Sequence, residues 1–147
     1  MKVYILLHST VDADDLIDRK LIGIFSSYNN VQDAIKRYSK IAGFADFSDG
    51  FEIEPYHVSG KKHSRVRKSR DVVYFLQYEY SEELIDYVVD LGLYSTRSRA
   101  VFEAIKFGLS LLVKKREDEV KFGGQFYNVA YRLDEEHWKE GFFVYRM

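Results

Sequence analysis

Between Ser81 and Leu112 the apolar positions recur with a helical period. Leu84, Tyr87, Val88 and Leu91 stand at i, i+3, i+4 and i+7, which places them on one face at 3.6 residues per turn and predicts a helix over 82–91. Ser81 is a suitable N-cap, and Gly92 stands where a helix end needs a residue tolerant of positive φ. Ser95 or Thr96 can cap a second helix over 97–113, whose apolar face holds Val101, Ala104, Ile105, Gly108, Leu109 and Leu112. The preceding VVYFLQYEY (72–80) is β-branched and aromatic and reads as a strand.

The order strand, short helix, glycine turn, longer helix, together with GLYSTRSRAVFEAI (92–105), resembles the ribbon-helix-helix family of transcriptional regulators and antitoxins. The likeness covers about residues 70–115. It implies that two chains pair their strands into an antiparallel ribbon that enters the major groove of DNA. Under that resemblance Tyr74, Leu76, Tyr78 and Tyr80 point into the dimer core, while Phe75, Gln77 and Glu79 read bases. Gln77 suits adenine and Glu79 suits cytosine N4, whereas Phe75 offers only a contact to a thymine methyl. Phosphates would be held by Ser95, Thr96, Arg97, Ser98 and Arg99 at the start of the second helix, and by Arg65, Arg67, Lys68 and Arg70 in a preceding arm.

The flanks read as a different piece of protein. VYILLH (3–8), LIGIFSS (21–27) and FEIEPYHV (51–58) suggest strands, and NNVQDAIKRYSK (29–40) a helix with Val31, Ala34, Ile35 and Tyr38 on its apolar face. FYNVAYRL (126–133) and GFFVYR (141–146) add further strand candidates. Gly43-Phe44-Ala45-Asp46, Asp49-Gly50-Phe51 and LDEEHWKEGF (133–142) resemble a family of small uncharacterised bacterial α+β domains, for which the likeness implies no activity. In that pattern the closing motif follows the third strand closely, whereas here about seventy residues intervene. The expected architecture is therefore α+β: a small mixed-sheet domain (1–60 and 120–147) with an inserted arm and strand-helix-helix module (61–119).

A second organisation competes with insertion. LIGIFSSYNNVQDAIK (21–36) overlays DLGLYSTRSRAVFEAIK (90–106) with one extra residue, 3–8 overlays 73–78, and 51–58 overlays 126–133. That suggests two copies of a β-β-α-β unit. Duplication makes 89–95 a strand, and insertion makes 82–91 a helix; the helical spacing favours insertion, the valines favour a strand.

Composition changes the picture in two ways. The 147 residues, 46% hydrophobic and 16% aromatic, are enough to bury a core, and the absence of cysteine and of any long uncharged apolar run disfavours a disulfide scaffold or a membrane span. A cytoplasmic protein without membrane attachment is expected. Charge is divided: residues 61–116 hold twelve Lys/Arg against seven Asp/Glu, a surplus of five, so with the whole at −1 the remainder carries −6. Six of those basic residues lie in KKHSRVRKSR (61–70), where they suit phosphate neutralisation.

Enzyme chemistry finds little footing. The chain has no Walker or GxGxxG loop and no HExxH pair, and His8, His57, His63 and His137 are far apart in sequence. Asp12, Asp14, Asp15 and Asp18 lack the spacing of a calcium loop. The expectation is a non-enzymatic homodimer with neither cofactor nor metal, binding double-stranded DNA as a transcriptional or phage/plasmid-type regulator. The alternative is a protein-interaction module of immunity or antitoxin type, with a protein partner, that uses the ribbon only to dimerise; Phe75 and Glu79 on the outer strand face favour it.

Overall fold

A computed structural model describes residues 1–11, 17–59, 72–113 and 123–142. The chain divides into two compact units, Lys2–His57 with the C-terminal segment from Arg132, and Val58 onward with Val72–Tyr131. In the first unit, β1 (Lys2–Val11) lies between β2 (Ile17–Phe25) and β3 (Phe51–Ser59), antiparallel to both. Helix α1 (Tyr28–Tyr38) follows β2, and a short 3-10 helix (Ala45–Gly50) leads into β3. In the second, β4 (Val72–Glu82) lies between β5 (Ile85–Tyr94) and β6 (Gln125–Arg132), and α2 (Arg97–Val113) follows β5.

The expected helix over 82–91 is replaced by β5, so the described residues hold no strand-helix-helix module and the inserted ribbon-helix-helix architecture is overturned. Leu84, Tyr87, Val88 and Leu91 match a helical period, but Ile85, Tyr87, Val88 and Val89 form a run of strong strand formers. That run finds a ready partner in β4, from Tyr74↔Tyr94 to Glu82↔Ile85. Gly92, expected to end a helix, lies inside β5 opposite Leu76 at φ 147. Nor does the strand at 73–79 wait for a second chain, because β5 and β6 flank it within its own. β6, expected in the flanking domain, belongs to the second unit. The second helix occupies 97–113 as expected.

Both units repeat one β-β-α-β plan, down to an irregularity. In the first hairpin, pairing runs Tyr4↔Phe25, Ile5↔Ile24 and Leu6↔Gly23 and then skips to Leu7↔Leu21, which leaves Ile22 as a bulged residue. In the second it runs Tyr74↔Tyr94, Phe75↔Leu93 and Leu76↔Gly92, then skips to Gln77↔Asp90 around Leu91. The helix starts correspond as well: Ser27 Oγ accepts from Asn30 N–H at 3.2 Å, and Thr96 Oγ1 from Arg99 N–H at 3.1 Å. Aligned on bulge and cap, Ile22–Lys36 lies over Leu91–Ile105 with no extra residue.

The cores match position by position. Under α1 lie Leu6, Ile22, Phe25 and Val31, joined by Tyr4 and Ile35. Under α2 lie Leu76, Tyr94 and Ala100, joined by Tyr74, Leu91 and Ala104. Each member of the second cluster has its counterpart in the first. The first goes on to add Ala34, Tyr38, Phe44, Phe51 and Phe142, so it is the deeper of the two.

The C-terminal segment closes the first unit along β2. Asp134 and His137 donate their backbone N–H to the carbonyls of Ile24 and Ile22, both at 2.8 Å. The Asp134 carboxylate accepts from Ser26 N–H, Ser26 Oγ and the Asn30 amide at 2.6–3.1 Å. Tyr38 Oη donates to His137 O at 2.6 Å, and Arg37 pairs with Glu136. Phe142 then packs edge-on against Phe44.

His8 is fully buried beneath this lid of aromatics, 4.7–4.8 Å from the ring centres of Phe44 and Phe51. Its Nε2–H donates to Phe47 O at 2.8 Å, tying β1 to the 3-10 helix, while Nδ1 has no partner. Gly50 is required here, since a Cβ would stand 2.8 Å from His8 Nε2. Burial pulls the His8 pKa below its ordinary 6.5; repulsion from Lys20 acts the same way, and the Phe47 hydrogen bond opposes them. The unfolded chain thus binds a proton more readily than the folded one. Stability should be lost as pH falls from about 6.5 through the lowered folded value. H8Q keeps an N–H for Phe47 and cannot titrate, so its urea midpoint should change less between about pH 7.5 and 5 than that of the wild type. Equal slopes would remove His8 from the acid response.

The tip of the second hairpin is strained. Glu83 and Leu84 both take positive φ, 52° and 66°, as a two-residue turn of the I′ kind demands, yet neither is Asn or Gly. Leu84 is also wholly exposed. Replacing Glu83-Leu84 with Asn-Gly should stabilise the protein by about 1–2 kcal/mol in chemical denaturation.

Candidate interaction surface

The exposed apolar side chains of the described residues concentrate in the second unit, and α2 carries the longest row. Val101, Phe102, Ile105, Leu109 and Leu112 are each 46–59% exposed. At about 100° per residue they fill an arc of roughly 100° on one side of the helix. A different set, Ala100, Ala104 and Phe107, meets the sheet beside them. α2 is therefore apolar over more than half its circumference, a composition suited to a helix covered on two sides. α1 buries Val31, Ala34 and Tyr38 and leaves polar residues on its open face. The apolar face read from the sequence, Val101, Ala104, Ile105, Gly108, Leu109 and Leu112, is divided: Val101, Ile105, Leu109 and Leu112 are exposed, and Ala104 is turned toward the sheet. Ala100 joins Ala104 there, both small enough for close approach to Leu76 and Tyr94.

Gly108 lies at the edge of the open face. A glycine inside a helix costs about 1 kcal/mol relative to alanine. A Cβ there would meet the Phe126 ring at 3.9 Å, an ordinary contact, so packing within the chain does not demand it.

Residues expected to read bases are engaged within the hairpin. Phe75 is 4% exposed and packs edge-on to Tyr131, so it is core rather than a base contact. Gln77 donates from its amide to Asp90 at 2.8 Å, and Glu79 stands opposite Val88, half-buried. The expected dimer core is likewise core of the single chain. Leu76 packs under α2 with Tyr74 beside it, Tyr78 is buried with its Oη accepting from Gly124 N–H, and Tyr80 stacks on Tyr87 at 5.2 Å. Tyr74, Leu76 and Tyr78 meet α2, as alternation places them on one face, and Phe75 between them is buried against Tyr131, so β4 is covered on both faces.

The anchoring residues are placed less tightly. Ser95 donates its N–H to Ser59 O at 3.0 Å, and its buried Oγ has no partner. Thr96 is spent as helix cap, Ser98 is exposed, and Arg97 lies over the Tyr74 ring. Arg99 pairs with Glu103 at 3.1 Å. Arg65, Arg67, Lys68 and Arg70 lie outside the described residues, as do Asp12, Asp14, Asp15 and His63. Asp18 pairs with Lys20, whose buried ammonium also sits 4.0 Å from the centre of the Phe142 ring. Sequence reasoning missed this cation and named His8 only among scattered histidines, because neither stands in a spaced motif; each is defined by what folds over it.

A pocket of about 530 Å³ opens where β1 meets the 3-10 helix, lined by Ser9, Asp46, Ser48, Asp49 and Glu52 among others. Its counterpart in the second unit, about 360 Å³, is bordered by Glu79, Ser81 and Gly124. Both are open; the first is acidic, with Asp46, Asp49 and Glu52, and the second holds Glu79 as its one carboxylate among the described residues. Among the described residues, no helix is long and apolar enough to cross a membrane.

Residues 1–64, less than half of the chain, match a family model described as a domain of unknown function, DUF7336. No curated protein and no solved structure matches the chain.

Proposed function

We propose that the chain is a non-enzymatic, cytoplasmic protein-interaction module that works as a homodimer joined through the outer face of α2. The observation that carries this reading is the row Val101, Phe102, Ile105, Leu109 and Leu112, exposed on a helix whose other side is already packed. Side chains of this size, about half exposed, present roughly 400–500 Å² per chain, as large as the largest patch on an ordinary monomer. A symmetric pair would cover on the order of 1,000 Å², the size at which specific association begins. Spacing supports a helix as the occupant: Val101, Ile105, Gly108 and Leu112 step by four, three and four, a seam that interdigitates with a copy of itself. Gly108 lets the two backbones come close at the crossing.

DNA recognition by a paired ribbon loses its premise once β4 is flanked on both sides by strands of its own chain. Only the basic run at 61–70 still speaks for nucleic acid. Duplex binding at low salt, lost on neutralising Arg65, Arg67, Lys68 and Arg70, would revive that reading and displace this one.

In a two-fold helix pair, Ile105 near the crossing faces its own copy. I105K and I105E should each weaken the dimer at least about tenfold through like charges, and an equimolar mixture should restore association through opposite ones. Sedimentation velocity reads both, and circular dichroism checks that the fold is kept. A wild-type monomer at about 100 µM, or two variants that mixing does not rescue, would overturn the dimer. Wild-type protein that stays monomeric but sediments with anionic vesicles would assign the face to a lipid surface.

A further inference from the structure

The two units differ in one place that their common plan makes conspicuous. In the first, the strip between β2 and α1 is occupied by residues 134–142 of the chain: His137 N–H on Ile22 O, Glu136 on Arg37, the His137 carbonyl on Tyr38 Oη, and Gly141 against Ile41. The corresponding strip of the second unit is an open groove of about 220 Å³ between β5 and α2. Its lining is Leu91, Tyr94, Glu103, Lys106, Phe107 and Ser110. Under the alignment fixed by bulge and cap, these six stand at the positions of Ile22, Phe25, Ala34, Arg37, Tyr38 and Ile41.

We propose that this groove is a docking site for an extended, acidic segment of a partner protein, held as residues 136–142 are held in the first unit. Chemistry as well as position is repeated. Lys106 replaces Arg37, keeps the positive charge that grips Glu136, and is exposed with no acidic partner among the described residues. Leu91 replaces Ile22 at the strand edge, and Phe107 replaces Tyr38 as the aromatic floor. At Leu93 and Tyr94 the edge of β5 is taken by Val58 and Ser59 of β3, so the open part begins at Leu91. A segment docking there adds main-chain bonds along β5 and places a carboxylate on Lys106, a strand-addition mode with one charged anchor. Two further features mark this end of the unit as incomplete. Ser95 Oγ is buried without the carboxylate that its counterpart Ser26 receives from Asp134, and Phe107 is only partly covered. The groove lies on the opposite side of α2 from Val101, Ile105 and Leu112, so the site is independent of the dimer.

The probe is a peptide of residues 135–142, EEHWKEGF, added to the full-length protein and followed by fluorescence anisotropy and amide chemical shifts. Binding should move the amides of Leu91, Lys106, Phe107 and Ser110. K106E should weaken it about threefold to tenfold, and the peptide carrying Glu136→Lys should bind K106E better than wild type. Shifts confined to the first unit would show that the peptide only competes with the chain's own closing segment, and would overturn the proposal. So would the absence of shifts at millimolar peptide, or binding indifferent to the charge swap.

Discussion

The bulge that follows the third aligned pair of each hairpin is the constraint on which the rest of each unit depends. By skipping Ile22 in one hairpin and Leu91 in the other, it turns two successive residues inward and swings the end of the second strand toward its helix. Leu6 and Leu76 lie under α1 and α2, with the bulged residue packed beside each. Gly23 and Gly92 stand opposite them. At Gly23 a side chain has no room, since a Cβ would come 2.7 Å from Glu135 O. At Gly92 the backbone itself, at φ 147, excludes one. Hairpin, bulge and capped helix thus make a single device, and the chain builds it twice.

How the two copies were then finished separates scaffold from surface. The first is sealed. Asp134 reaches the start of α1, Phe142 enters the aromatic cluster around Phe44, and Arg37 is neutralised by Glu136. The second keeps the smaller core of Leu76, Tyr94 and Ala100, with Ala104 where the first has Ile35. Narrow residues on the inner face bring α2 close to the sheet, and its bulky side chains are left to point outward. A strained turn that displays Leu84 in full follows the same tendency. Backbone cost is accepted there without any return in packing among the described residues.

Much of this was legible in the residues, though not by the most obvious route. Helix 97–113 and the strands around 3–8, 51–58 and 72–80 follow from periodicity and strand-forming composition. The helix expected over 82–91 failed because four apolar residues at i, i+3, i+4 and i+7 also fit a strand whose faces are both partly apolar. Only the valines and the pairing partner upstream decide between the two. The resemblance to ribbon-helix-helix proteins rested on GLYSTRSRAVFEAI. Its Gly-Leu-Tyr is strand and bulge here, and its Ser-Thr is a helix cap in a different setting. The repeat itself was visible, but the shared Ala-Ile-Lys string at 34–36 and 104–106 forced one residue too many into the overlay. The caps Ser27 and Thr96 remove it and put Val31 over Ala100, both fully buried.

That one-residue correction is what makes the open groove intelligible. With the helices one residue out of register, Arg37 would fall on Phe107 and Tyr38 on Gly108, and nothing in the second unit would answer to the contacts of the closing segment. In the corrected register three of those contacts find a residue of the same character, Lys106 for Arg37, Phe107 for Tyr38 and Leu91 for Ile22, while Ser110 stands for Ile41. Two units built on one plan need not share a basic residue and an aromatic side by side around a space that the described residues leave open in the second. A continuing requirement for an acidic strand to fill that space would preserve both.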